Sequence, residues 1–122
     1  MKSILPSSRR HDISFHPSGK IEISARVARK LSLVSGDVVG IAEERGELFL
    51  YVRLRAGTYT GRHKGCVSTA NHGRGTFRTY SKAISRSVLS IAGTPGPLRC
   101  PCGAEIIRDN KTYITIIYRC AL

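Results

Sequence analysis

The sequence predicts a mainly β protein with short helices, built from two ββαββ units that together form one small β-barrel. Three observations predict it. Short apolar–polar alternations are punctuated by Gly, Pro, Asn and Asp, the pattern of strands joined in hairpins. The order hairpin, short helix, hairpin occurs twice along the chain. A single unit of roughly 50 residues buries too little apolar surface to stand alone, whereas two interlocked units share a core and close the strand edges.

Residues 1–11 read as a flexible basic arm, with Lys2, Arg9, Arg10 and His11 among Pro6 and three serines. The first unit spans 12–55. Asp12-Ile13-Ser14-Phe15 and Ile21-Glu22-Ile23 alternate around the turn His16-Pro17-Ser18-Gly19, which predicts a hairpin. Ser24 caps the helix that follows, because its hydroxyl can accept from an early backbone N–H. Val27, Ala28, Leu31 and Val34 fall at helical spacing while Arg26, Arg29 and Lys30 face elsewhere. That helix has about two turns, with Gly36 ending the segment. Val38 to Ile41 and Leu48 to Leu54 are strands around the turn Glu44-Arg45-Gly46-Glu47.

Residues 56–65 are weakly patterned and read as a linker. The second unit, 66–122, repeats the first. Val67-Ser68-Thr69 stands where Ile13-Ser14-Phe15 stood, and Asn71 to Gly75 where the first turn stood. Gly75-Thr76-Phe77 matches Gly19-Lys20-Ile21 at an offset of 56, and Lys82 and Arg86 match Arg26 and Lys30 at the same offset. Ala83, Ile84, Val88 and Leu89 supply a helical apolar stripe. After an irregular Pro/Gly segment, Glu105 to Arg108 and Lys111 to Arg119 bracket the turn Asp109-Asn110. Both repeats are expected to form one domain.

The segment Gly19-Lys20-Ile21-Glu22-Ile23-Ser24-Ala25-Arg26-Val27-Ala28-Arg29-Lys30-Leu31 through Gly36-Asp37-Val38-Val39 resembles the AbrB/MazE/MraZ-like (SpoVT-AbrB) superfamily. Such chains show a Gly-basic-apolar start, a basic short helix and a Gly-Asp step before the second hairpin. The resemblance covers residues 12–54, with a second copy in 66–119 only through the internal repeat. It implies a swapped-hairpin or double-psi-like barrel and DNA binding, as in transcription regulation, by basic residues on the first hairpin and helix. Lys20 and Arg29 match the family's basic positions, and Arg26 is basic where the family fixes nothing. Ser24 replaces the usual proline, His16 stands at an often acidic position, Ala28 replaces a basic residue, and the second unit lacks the Gly-Asp step.

Charge supports the same partner on separate grounds. Lys and Arg number 20 against 8 Asp and Glu, a net charge of +12. Such an excess calls for an acidic partner. It is uneven, at +4 over residues 1–56 and +8 over 57–122. Between Arg62 and Arg86 lie Arg62, Lys64, Arg74, Arg78, Lys82 and Arg86 with no Asp or Glu, among small residues that let phosphate approach backbone N–H groups. Lys20, Arg26 and Arg29 join this face if the two halves lie side by side. Phe77 and Tyr80 can stack on bases only where exposed, and Phe77 is expected in the core. DNA is therefore the expected partner, and a second copy or an acidic protein the alternative, in which the chain is a protein-interaction or assembly module.

Other classes are disfavoured. Arg99-Cys100-Pro101-Cys102-Gly103 is C-x-C rather than the C-x₂₋₄-C of structural zinc sites, so no metal is expected even with His63-x-x-Cys66 nearby. Cys66 and Cys120 read as small apolar strand residues and the C-x-C as a loop. No nucleophile elbow, phosphate loop or dinucleotide fingerprint occurs, so neither an enzyme nor a cofactor is expected. His11, His16, His63 and His72 read as surface residues. No apolar run reaches the roughly 18 residues of a membrane span, and the start lacks an apolar signal-peptide region. Four cysteines then point to reduced thiols in the cytoplasm. The last strand runs to the chain's end, so no partner-binding tail is expected.

Overall fold

A computed structural model describes residues 11–68 and 75–119. The basic arm, apart from His11, lies outside the described residues, as do Arg74, His72 and Cys120. The described residues form nine strands and two helices in two antiparallel sheets, so the mainly β class with short helices holds.

The first hairpin is β1 (Ile13–Phe15) and β2 (Lys20–Ile23). Its turn closes through Gly19 N donating to His16 O at 2.8 Å, and Gly19 sits at φ +101°. A Cβ there would meet the Lys82 backbone N at 3.0 Å, so both conformation and space call for glycine. Helix α1 (Ala25–Lys30) is capped by Ser24, whose hydroxyl accepts from Val27 N. It stops earlier than the apolar stripe predicts. Ser32 takes the left-handed conformation at φ +52°, Ser32 N donates to Arg29 O, and Leu33 N donates to Ala28 O. This pair of bonds is the Schellman ending. It turns Leu33 into the core and leaves Val34 exposed.

Strands β3 (Val38–Glu44) and β4 (Glu47–Leu54) meet at Arg45-Gly46. Strands β8 (Cys102–Arg108) and β9 (Lys111–Ile116) meet at Asp109-Asn110. All four turn residues have positive φ, the signature of the two-residue turn that matches strand twist. Between them lie β5 (Val67–Ser68), β6 (Phe77–Tyr80), helix α2 (Lys82–Ala92) and β7 (Leu98–Cys100). Strand β7 falls in the segment expected to be irregular. Pro97 and Pro101 bracket just three residues, yet these pair with β1, Ile13 opposite Cys100 and Phe15 opposite Leu98.

One sheet runs β5-β6-β2-β1-β7 and the other β3-β4-β9-β8, and neither order closes into a ring. Each sheet takes one hairpin from each half of the chain. The central pairs are antiparallel, with Ile21 opposite Thr79 in the first and Leu50 opposite Ile114 in the second. The edges of the second sheet approach at their ends, where the Arg108 guanidinium donates to Glu44 at 3.3 Å. Ile13, Phe15, Ile21, Ile23 and Phe77 from one sheet join Leu48, Leu50, Ile114 and Ile116 from the other in a single core cluster, with Val27, Val88 and Leu89 of the helices and Leu31 at the end of α1.

Two buried carboxylates brace this core. Asp12 accepts from Arg26 Nη2 at 2.6 Å, from Cys102 N at 2.8 Å and from the Ser24 hydroxyl at 3.3 Å. Asp37 accepts from Ala56 N at 2.7 Å, Arg55 Nη1 at 2.9 Å and Val34 N at 3.0 Å. Buried carboxylates persist only when paired and hydrogen-bonded in this way.

Candidate nucleic-acid interface

The expected linker is a structured wall. Asp37 holds its start through Ala56 N. The Tyr59 hydroxyl donates to Gly36 O at 2.7 Å. Its end is held by Cys66 N donating to Asp37 O at 2.7 Å and Gly36 N donating to Cys66 O at 2.9 Å. Gly65 crosses Gly36 so closely that a Cβ would fall 2.8 Å from the Gly36 Cα and O. The His63 ring packs edge-on against Tyr59, centroids 4.8 Å apart.

This wall presents Arg62, His63 and Lys64 to a groove of about 620 Å³, whose other sides include Arg53, Tyr80 and Lys82. Among the described residues, no Asp or Glu lines it. Lys82 is set by the Ser81 cap of α2, where Ser81 N donates to Gly19 O at 2.8 Å and the Ser81 hydroxyl accepts from Ile84 N. The first turn of α2 carries no acidic residue, so the positive end of the helix dipole adds to the groove's charge. Lys64 Nζ stands 6.0 Å from the Tyr80 ring centroid, a cation–π distance.

Of the nine basic residues that the sequence singles out, Arg62, Lys64 and Lys82 converge on this groove. Lys20 and Arg78 lie beside it on the first sheet, opposite Tyr80 and Glu22 respectively. Arg86 is exposed on α2, one turn beyond Lys82. Arg29 is exposed on α1 and is not among the groove's lining residues. Arg74 lies outside the described residues. Arg26 is a structural strut. Its guanidinium is bound to the buried Asp12 and also donates to Cys102 O at 3.2 Å. Burial pushes the Asp12 carboxyl up, but the hydrogen bonds from Arg26, Cys102 N and Ser24 outweigh it and hold the group below its ordinary value.

Sequence reasoning missed Arg53 and His63, which also line the groove. Arg53 follows Tyr51 at period 2 on β4, so the alternation that identifies the strand also places both on its outward face. His63 sits inside the acid-free stretch, where only Lys and Arg entered the count. Of the two aromatic residues considered for stacking, Phe77 is buried and Tyr80 is 45% exposed.

Cys66 precedes β5 and is not a strand residue. Cys100 and Cys102 lie at the end of β7 and the start of β8, not in a loop, and both are buried, as is Cys66. Burial pushes each of the three thiols up to about 12, so they are neutral apolar groups at ordinary pH. Cys66 points into the core while His63 packs on Tyr59, so the His-x-x-Cys spacing does not bring the two side chains to a shared outward position.

No described helix is long and apolar enough to cross a membrane. No family model, curated protein or solved structure matches the chain.

Proposed function

We propose that the chain is a non-enzymatic DNA-binding module of the cytoplasm, acting in transcription regulation, that grips phosphates through the groove of Arg53, Arg62, Lys64 and Lys82. The observation that carries this reading is the convergence of four cations and His63 on a groove with no acidic lining among the described residues. Phosphate contacts of this kind supply most non-specific affinity for nucleic acid.

An AbrB/MazE/MraZ-like duplicated swapped-hairpin barrel is the architecture we infer. It is supported by the strand orders. Exchanging β1 with β5, β2 with β6, β3 with β8 and β4 with β9 leaves the order β5-β6-β2-β1 and the order β3-β4-β9-β8 unchanged, with β7 as the one addition. The approach of the second sheet's edges at Glu44 and Arg108 also fits a coiled, barrel-like sheet.

The test is a salt titration of binding to random-sequence DNA. Each phosphate contact contributes about 0.9 to the slope of log affinity against log salt on a duplex. A slope of several units is expected. It falls by roughly 2 to 3 when Arg62, Lys64 and Lys82 are changed together to Ala. No binding at low salt, or an unchanged slope in the triple variant, overturns the reading.

A second reading, protein interaction or assembly, is favoured by one observation. Edge strand β8 exposes Ile107 at 74% and Ile106 at 37%, and an apolar free edge is a template for another strand. It calls for a homodimer or an acidic partner in place of a specific nucleic-acid role, and Ile107→Lys is expected to disperse that complex in sedimentation.

A further inference from the structure

The outer face of the first sheet carries a cross-strand row of Arg78, Glu22, Ser14 and Arg99. Directly opposed residues point the same way, so the row shares one face. It borders a concavity of about 410 Å³, to which Ser24 and Thr76 also contribute, with the buried Ile23 and Phe77 beneath its floor. That volume lies in the range of small-ligand sites, and the side chains it exposes are polar.

Glu22 is the unusual member. Asp12 and Asp37 are buried, and Glu43, Glu44, Glu47, Glu105 and Asp109 sit on the β3–β4 and β8–β9 hairpins. Glu22 alone lies on the basic face, half exposed, its carboxylate 3.7 Å from His16 Nε2. There it repels phosphate, so it weakens purely electrostatic binding. A carboxylate offers what the flanking arginines cannot, two acceptor oxygens. Base edges supply the matching donors. Guanine is the base with two adjacent N–H donors on its Watson–Crick edge.

Tyr80 lies two residues from Arg78 on the same face of β6, about 6.7 Å along the strand. It is 45% exposed, with the Lys64 ammonium over its ring. A base-sized concavity thus adjoins an exposed aromatic platform. Paired, stacked bases in a duplex can present neither a ring face to Tyr80 nor a Watson–Crick edge to Glu22. A single strand presents both.

We propose that this face takes single-stranded nucleic acid. One base stacks on Tyr80, a neighbouring guanine enters the concavity with its Watson–Crick N–H groups donating to Glu22, and Arg78 and Arg99 hold the flanking phosphates. The proposal rests on the nucleic-acid reading above and names the form of strand that the site prefers.

Fluorescence anisotropy on the full chain tests it, with three labelled 12-mers at one salt concentration: all-thymine, the same with one central guanine, and the latter as a duplex. The guanine-bearing single strand is expected to bind tightest and the duplex weakest. Glu22→Ala raises affinity for the all-thymine strand by removing a negative charge and abolishes the guanine preference. Glu22→Gln, which keeps the side chain's shape, also loses that preference. Tyr80→Ala weakens both single strands at least about fivefold. A duplex bound as tightly as the single strands overturns the proposal, as does a guanine preference that survives in both Glu22 variants. If none of the three binds at low salt, the nucleic-acid reading itself fails.

Discussion

Asp12 joins β1, α1 and β8 through one carboxylate, so removing it measures how far the two halves of the chain depend on each other. Asp12→Ala deletes a charge-assisted hydrogen bond from Arg26 at 2.6 Å and strips Cys102 N of its 2.8 Å acceptor. A hydrogen bond to a charged group contributes roughly 1.5–3 kcal/mol, and a buried donor left without a partner costs roughly 1–3 kcal/mol. The Arg26 side chain is 31% exposed, so its charge can turn to water and the larger penalty of a stranded ion does not arise. The expected loss is about 3 kcal/mol, a fall of about 12 °C in Tm at roughly 4 °C per kcal/mol for a domain of this size. Asp12→Asn keeps an acceptor for Cys102 N and loses about half as much.

The pH dependence separates the ion pair from packing. The folded Asp12 carboxyl titrates below its ordinary value of 3.8. Its stabilisation is therefore complete above that value and is lost as pH falls through the folded one. The gap between wild type and Asp12→Asn should stay constant from about pH 8 to pH 5 and close in acid below 3.8. Urea unfolding followed by circular dichroism suits a chain without tryptophan. A gap undiminished at about pH 3, or an Asn variant as stable as wild type at neutral pH, refutes the argument.

Two further outcomes follow from the same packing. Gly65→Ala drives a Cβ into the Gly36 backbone at 2.8 Å; it should cost about 1–3 kcal/mol in thermal melting and, under the proposed function, weaken DNA binding in parallel, since the displaced wall carries Arg62 and Lys64. With the Cys66, Cys100 and Cys102 thiols buried and pushed up to about 12, an aromatic disulfide reagent at mild alkaline pH should label none of them in a folded Cys120→Ser variant and all three on unfolding.

Local chemistry made much of the fold legible. Ser24 marked a helix start because a cap needs only a hydroxyl at the right position, and Asp109-Asn110 marked a hairpin because few residues tolerate left-handed backbone. The end of α1 was less legible, since a serine at the left-handed position of a Schellman ending carries a weaker signal than glycine. Strand β7 is too short for periodicity and is fixed by its partner β1. The candidate groove was half legible. A run without acids is visible in one dimension, but that Arg53 joins it and that Asp12 claims Arg26 are facts of tertiary neighbours.

The clasp of Gly36 and Asp37 on Cys66 and Ala56 has a consequence for recognition. A cationic loop that must be immobilised on contact loses part of its attraction to the entropy of ordering. Here that ordering occurs when the chain folds, so under the proposed function a phosphate would meet Arg62, His63 and Lys64 on an already fixed backbone. Asp37 thereby ties the shape of the groove to the integrity of the core.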